Sequence, residues 1–190
     1  LPQPFAEATL QFESRAAEAV PTLNALMGQP LPLTASYWAD GVLSLRLCGT
    51  EAGVKTAVEL LGGERMNEAA SRSWWQTVRE QARPEFDLDE GERLWRISVP
   101  DTAPVADSDG LFAIEWGGGL RWYCTGAAAR EMRALAQNAG GHATLFRGAA
   151  AVGETVFTPL PEALLAINQR LKQSFDPSGI FNPGRLYPKL

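Results

Sequence analysis

The sequence predicts an α+β fold: one antiparallel sheet with helices packed on one face, built from ferredoxin-like units. Three observations predict it. Short runs of alternating apolar and polar residues recur along the chain, as in strands with one buried and one wet face. Stretches with helical spacing fall between them, giving strand–helix–strand–strand–helix–strand over roughly the first third. Turn residues then close neighbouring runs at hairpin distance, which makes the pairing antiparallel.

Residues 8–13 read as a strand with Leu10 and Phe12 on one face. A helix follows over 15–27, entered through Ser14 as N-cap, with Val20, Leu23 and Met27 as its apolar stripe. Pro21 falls inside it and either kinks it or marks its true start. Residues 33–38 and 42–48 form a hairpin about Asp40-Gly41, the second strand setting Val42, Ser44 and Arg46 against Leu43, Leu45 and Leu47. Thr50 caps a helix over 50–61 that Gly62-Gly63 stops, and 64–66 adds a short strand. A helix over 69–81 groups Trp74, Trp75 and Val78 on one side. Strands are expected at 94–99, 111–116, 120–125 and 142–146, with a flexible hairpin tip at Gly117-Gly118-Gly119. Helices are expected at 127–139 and 161–175, the latter with proline in its first turn. The second half therefore runs strand–strand–strand–helix–strand–helix, and two related units can share one sheet.

The 190 residues suit one domain, or two small fused units over 1–66 and 67–190. An apolar share of 45% and a charged share of 21% are ordinary for a globular chain that builds its own core. A net charge of −5 argues against a nucleic-acid surface, which needs a basic stripe. Cys48 and Cys124 sit in apolar strand-like runs, so free thiols and a reducing, cytoplasmic compartment are expected. No apolar run has the length of a membrane span. The opening Leu1-Pro2-Gln3-Pro4 is linker-like, and we expect a piece of a longer protein beginning at a domain boundary.

Few residues can carry chemistry. His142 is the sole histidine and opens a strand, so a structural or exposed role is expected. The acidic residues Glu85, Asp87, Asp89, Glu90 and Glu92 lack the spacing of a calcium loop and read as a solvated loop, and no metal site is expected. Gly117-Gly118-Gly119 is followed by neither the lysine and hydroxyl of a phosphate loop nor a helix. Most of the six tryptophans are expected in the core. One or two of Trp74, Trp75, Trp95, Trp116 and Trp122 are candidates for a face turned to a partner.

The tail is the most distinctive stretch. Asp176-Pro177 stops the last helix, Ser178-Gly179 turns the chain, and Asn182-Pro183-Gly184 makes a second stiff turn that presents Arg185. Ile180, Phe181, Leu186 and Tyr187 make it too apolar for a free end, so it is expected to dock against something, with Phe181 and Tyr187 as anchors. Arg185 offers a permanent charge and five donors, suited to a carboxylate or a phosphate, although the residues alone favour a surface arginine capping a well-packed tail.

Residues 171–187, from Leu171 to Tyr187, resemble the closing signature of the FAD-linked oxidases of the vanillyl-alcohol oxidase type, in the branch of D-lactate dehydrogenases and glycolate oxidase. The likeness is closest to the C-terminal part of the FAD-binding subunit of bacterial glycolate oxidase. Residues 23–38 and 41–49 fit that subunit more loosely. The resemblance implies a C-terminal cap domain over 1–190 whose N-terminal FAD domain lies elsewhere, FAD as cofactor, and a small 2-hydroxyacid as substrate. It implies sister subunits as partners, an iron–sulfur subunit among them, and a complex in the cytoplasm that can lie at the inner membrane. It places Asn182, Gly184 and Arg185 beside the flavin, with Arg185 where many relatives carry lysine. The paired histidines of related D-2-hydroxyacid dehydrogenases are absent here, and that chemistry is expected from a sister subunit. The alternative is a non-enzymatic ferredoxin-like module that binds a ligand or a protein.

Overall fold

The computed structural model describes residues 5–106, 109–151, 153–188 and 190. Its elements are β1 (Ala6–Glu13), α1 (Ala16–Met27), β2 (Leu33–Ala39), β3 (Val42–Gly49), α2 (Glu51–Leu61), β4 (Glu64–Arg65), α3 (Glu68–Glu80), β5 (Arg93–Ser98), β6 (Leu111–Glu115), β7 (Leu120–Thr125), α4 (Ala129–Asn138), β8 (His142–Arg147) and α5 (Glu162–Phe175). The strands form one eight-stranded sheet in the order β4-β1-β3-β2-β6-β7-β5-β8, and each neighbouring pair is antiparallel. The predicted α+β class and its ferredoxin-like units are both present.

The strand order contains the same arrangement twice. In the first half the fourth, first, third and second strands lie side by side, and so do the corresponding strands β8, β5, β7 and β6 of the second half. The two units meet through their second strands, β2 and β6. Their ladder is short, pairing Tyr37 with Glu115, Trp38 with Ile114 and Ala39 with Ala113. The first unit crosses over its sheet with α1 and α2. The second has α4 alone, and residues 99–106 run as a loop on the side where the other helix would lie.

The core forms where alternation meets the helices. Leu43 and Leu45 of β3 pack with Ala19, Val20 and Leu23 of α1, while Ala8, Leu10 and Leu47 take Val54 and Ala57 of α2. On the same face of the second unit, Trp95, Ile97, Tyr123, Ala143 and Leu145 meet Ala129, Met132 and Ala136 of α4. Helix α3 is the exception to helices on a single face. It lies on the opposite side, where Trp75 and Val78 join Tyr37, Leu94, Leu120 and Trp122. A buried polar relay pins it there: Trp75 Nε1 donates to Thr9 Oγ1 at 2.8 Å, and that hydroxyl shares a 2.7 Å bond with Ser71.

Local details depart from the expectations for physical reasons. The N-cap of α1 is Arg15 rather than Ser14, whose amide donates to Gly41 O at 2.8 Å, closing β1 onto the hairpin turn, and whose hydroxyl donates to Arg15 O at 3.3 Å. Pro21 neither starts nor ends α1. It sits on the exposed side, where water reaches the carbonyl left without its amide partner. The triple-glycine tip is clamped rather than flexible. Gly117 and Gly118 are buried at positive φ, and an added Cβ would meet Met27 Sδ at 2.4 Å and Asp101 O at 2.9 Å respectively. Glycine is used there because α1 presses on the turn.

The gap left by the missing helix is filled by an arginine. Arg121 of β7 is buried and points its guanidinium at backbone carbonyls: Pro104 O at 2.8 Å, Gly118 O at 3.4 Å, and Ala103 O. It thereby holds the 99–106 segment against the sheet.

Candidate functional site

Two regions have functional geometry, the tail and a cleft between the units. Helix α5 has no buried residue, and Leu164, Ile167 and Leu171 form an exposed stripe along it that Phe175 continues at 84% exposure. The tail beyond it is shaped by Asp176, the one buried residue between α5 and the chain end among those described. Its carboxylate accepts from the amides of Ile180 and Phe181 at 3.1 and 3.0 Å and from Lys172 Nζ at 2.5 Å. The Lys172 hydrogen bond, followed by that of the Phe181 amide, holds the Asp176 carboxyl below its ordinary range. The same ammonium reaches Phe181 O, so a single ion pair folds the first predicted turn.

The second predicted turn forms through Asn182, which takes positive φ (46°), and Gly184 (69°). Asn182 O accepts from the Arg185 amide at 3.2 Å, and the Gly184 amide donates to Leu190 O. The structure thus brings Asn182, Gly184 and Arg185 into one turn, and all three are exposed. Neither the Asn182 amide nor the Arg185 guanidinium has a hydrogen-bond or ion-pair partner among the described residues. Tyr187 anchors the tail against Phe157, with ring centres 6.0 Å apart. Phe181 does not: it is 63% exposed, as Ile180 and Leu186 largely are. The expected docking is therefore not onto this chain's own core, and the preformed turns carry their apolar side chains outward.

The second region was not legible beforehand. The β2–β6 ladder stops at Tyr37 and Glu115. Beyond it the units splay apart and leave a cleft of about 1040 Å³. Helix α3 walls one side and the end of α1 another. Arg46, Arg72, Arg79 and Arg96 line it, with Glu7 and Glu115 as its carboxylates. Arg46 packs its guanidinium over Trp75 at 5.3 Å, and Arg96 lies over Trp116 at 5.1 Å. Trp116 is the exposed tryptophan, at 67%, whereas Trp38, Trp75, Trp95 and Trp122 are buried. Its φ of 52° is left-handed, a conformation that costs a bulky residue about 1–2 kcal/mol. The neighbouring Gly117 amide, fixed by donation to Ser36 Oγ at 3.0 Å, helps set that geometry.

Glu115 stands at the end of the ladder and is partly buried. Burial pushes its carboxyl above the ordinary glutamate range, against the opposing pull of the 2.6 Å hydrogen bond from Trp122 Nε1 and the positive charge of Arg96. Alternation in the sequence does put Arg46 on a wet face. Nothing in it signals that α3 crosses that face, or that the seam opens next to Glu115.

The remaining candidates are structural. His142 is exposed at the start of β8. The thiols are free, and Cys124 donates to Glu92 at 2.9 Å, its pKa pushed up to about 12 by burial and then by that carboxylate. The acidic run is not wholly solvated, since Phe86 within it is buried and Glu85 pairs with Arg83 at 2.7 Å. No cluster of potential metal ligands occurs among the described residues, and none of their helices is long and apolar enough to cross a membrane.

Across all 190 residues the chain is 43% identical to glycolate oxidase subunit GlcE of Escherichia coli (strain K12). The chain is a relative of the C-terminal half of that subunit. It spans about half of its relative's length, 51%. The likeness first drawn from the tail thus extends over the whole chain. No family model matches the chain, and no solved structure gives a significant match.

Proposed function

We propose that this chain is the C-terminal cap of a glycolate oxidase FAD-binding subunit, part of an enzyme that oxidises glycolate, a 2-hydroxyacid, to glyoxylate. The observation that carries this reading is the 43% identity to glycolate oxidase subunit GlcE over the full length of the chain. FAD, bound mainly by the N-terminal half of the whole protein, supplies the acceptor for the two electrons. The residues present fit a capping role. Arg185 and Asn182 are exposed donors on a rigid turn with no partner among the described residues, and the apolar face of α5 runs towards them. In this reading α5 and the tail pack against the FAD domain. Arg185 then sets a fixed positive charge at the rim of the flavin, and Asn182 adds a hydrogen bond. Sister subunits, one of them iron–sulfur, carry the electrons onward in a cytoplasmic complex at the inner membrane.

The test uses the intact protein. Arg185→Ala lowers flavin content or glycolate turnover about tenfold, the scale of one lost charge-assisted hydrogen bond, and leaves the melting midpoint in place. Unchanged flavin content and turnover remove Arg185 from the site. Residues 1–190 alone do not titrate FAD with tight one-to-one stoichiometry; such binding contradicts the capping role.

A further inference from the structure

We infer that the mouth of the cleft between the two units is a binding site for a small hydroxy-carboxylate, with Arg96 taking the carboxylate and Glu115 the neighbouring hydroxyl. The choice of a hydroxy acid rests on the function proposed above; the anion site itself stands on this chain's geometry.

Charge comes first. The chain carries −5 overall, yet the cleft gathers four arginines against two glutamates. Three of the four are already engaged. Arg72 pairs with Glu68 at 3.0 Å and Arg79 with Glu80 at 2.9 Å, while Arg46 donates to Thr34 at 3.3 Å. Arg96 is different: among the described residues it has neither an ion pair nor a hydrogen bond. Its guanidinium lies over the Trp116 ring, 5.1 Å from the ring centre. An indole occupies one flat face of a guanidinium and leaves the N–H edges free in the plane, the geometry that receives a carboxylate through two parallel bonds.

The surroundings fix that aim. Trp116 is held in its left-handed conformation by the buried Gly117 and Gly118 behind it, so the ring that braces Arg96 is placed by the backbone. Cross-strand register sets Arg96 opposite Trp122, and Trp122 grips one oxygen of Glu115. The other Glu115 oxygen has no partner among the described residues. A cation with open N–H edges and a half-satisfied carboxylate therefore share the end of the β2–β6 ladder, matched to the two functional groups of a 2-hydroxyacid. Such ligands settle where two units meet and a few polar groups converge.

Tryptophan fluorescence reads this site directly, because Trp116 and Trp122 adjoin it. The purified protein is titrated with glycolate, acetate and phosphate at constant ionic strength. Glycolate gives a saturable change and acetate, lacking the hydroxyl, binds several-fold more weakly. Arg96→Met, which keeps the apolar stem, weakens glycolate about tenfold or more, the scale of a lost charge-assisted pair. Should that variant fail to fold by circular dichroism, Arg96→Lys carries the test, since it keeps the charge and loses the planar fork. Arg130→Ala, at an exposed arginine of α4 outside the cleft, titrates like the parent, which separates this site from a general effect of net charge. Equal glycolate affinity in the folded Arg96 variant overturns the proposal. So does phosphate binding more tightly than glycolate, or the absence of a saturable signal. Anion binding that depends on Arg96 in a protein unable to oxidise glycolate sinks only the function proposed above.

Discussion

Arg121 and Glu115 show how much single side chains carry in this fold. A buried guanidinium with no ion pair among the described residues is tolerated because three carbonyls accept from it. Arg121→Met strands those carbonyls and frees the 99–106 segment, so the variant is expected to lose about 3 kcal/mol of unfolding free energy in urea. A loss under about 0.5 kcal/mol would show that the segment is held by other contacts. Glu115 makes a pH prediction. Its folded pKa is raised, so folding favours the protonated form. The stability it contributes is present below the ordinary glutamate value of about 4.3 and is lost as pH rises through the higher folded value. Glu115→Gln keeps an oxygen for Trp122 and removes this titration. The variant's melting temperature should gain on that of the parent between about pH 4 and about pH 7. A gap that shrinks over that interval contradicts the burial argument.

At the scale of elements, β1, β3, β7, α2 and α3 were legible because their periodicity and caps agree with their surroundings. Thr50 caps α2 as the sequence says, accepting from the Gly53 amide at 3.2 Å, and β7 spans Leu120–Thr125 as expected. The misreadings occur where a tertiary partner decides. Arg15, paired with Glu18, took the cap expected of Ser14, Pro21 was absorbed on a wet face, and the glycine tip was clamped by α1. The tail's turns were legible from Asp176-Pro177 and Asn182-Pro183-Gly184, but their outward-facing apolar side chains were not, since no local rule says what a finished segment will lean on. Helix α5 makes the sharpest prediction at this scale. A Leu171→Asp change there costs the isolated chain little, under about 0.5 kcal/mol, because the side chain is already half in water. In the intact protein the same change should lower flavin retention and expose α5 to proteolysis. A large drop in the melting temperature of the isolated chain would mean instead that α5 is part of its own core.

Seen as a whole, the molecule is two copies of one strand pattern placed edge to edge, with α3 strapped across the back. The fold class could be read from alternating strands and interleaved helices, which are local signals. The cleft could not, because it arises from where pairing between the units stops, and that depends on register among strands far apart in sequence. Arg46 and Arg96 illustrate the point. Their strands are separated by β2, β6 and β7, roughly 19 Å of sheet at about 4.8 Å per strand, yet both line one opening.

The three-pair junction between β2 and β6 also bears on how the protein responds to what it holds. The ladder is short, but α3 packs Trp75 and Val78 against residues of both halves and α1 presses on the turn after β6, so the seam is strapped on both faces. A molecule lodged beside that seam touches both halves at once, and its binding free energy is added to their cohesion. A ligand of the cleft should therefore raise the protein's melting temperature as its concentration rises.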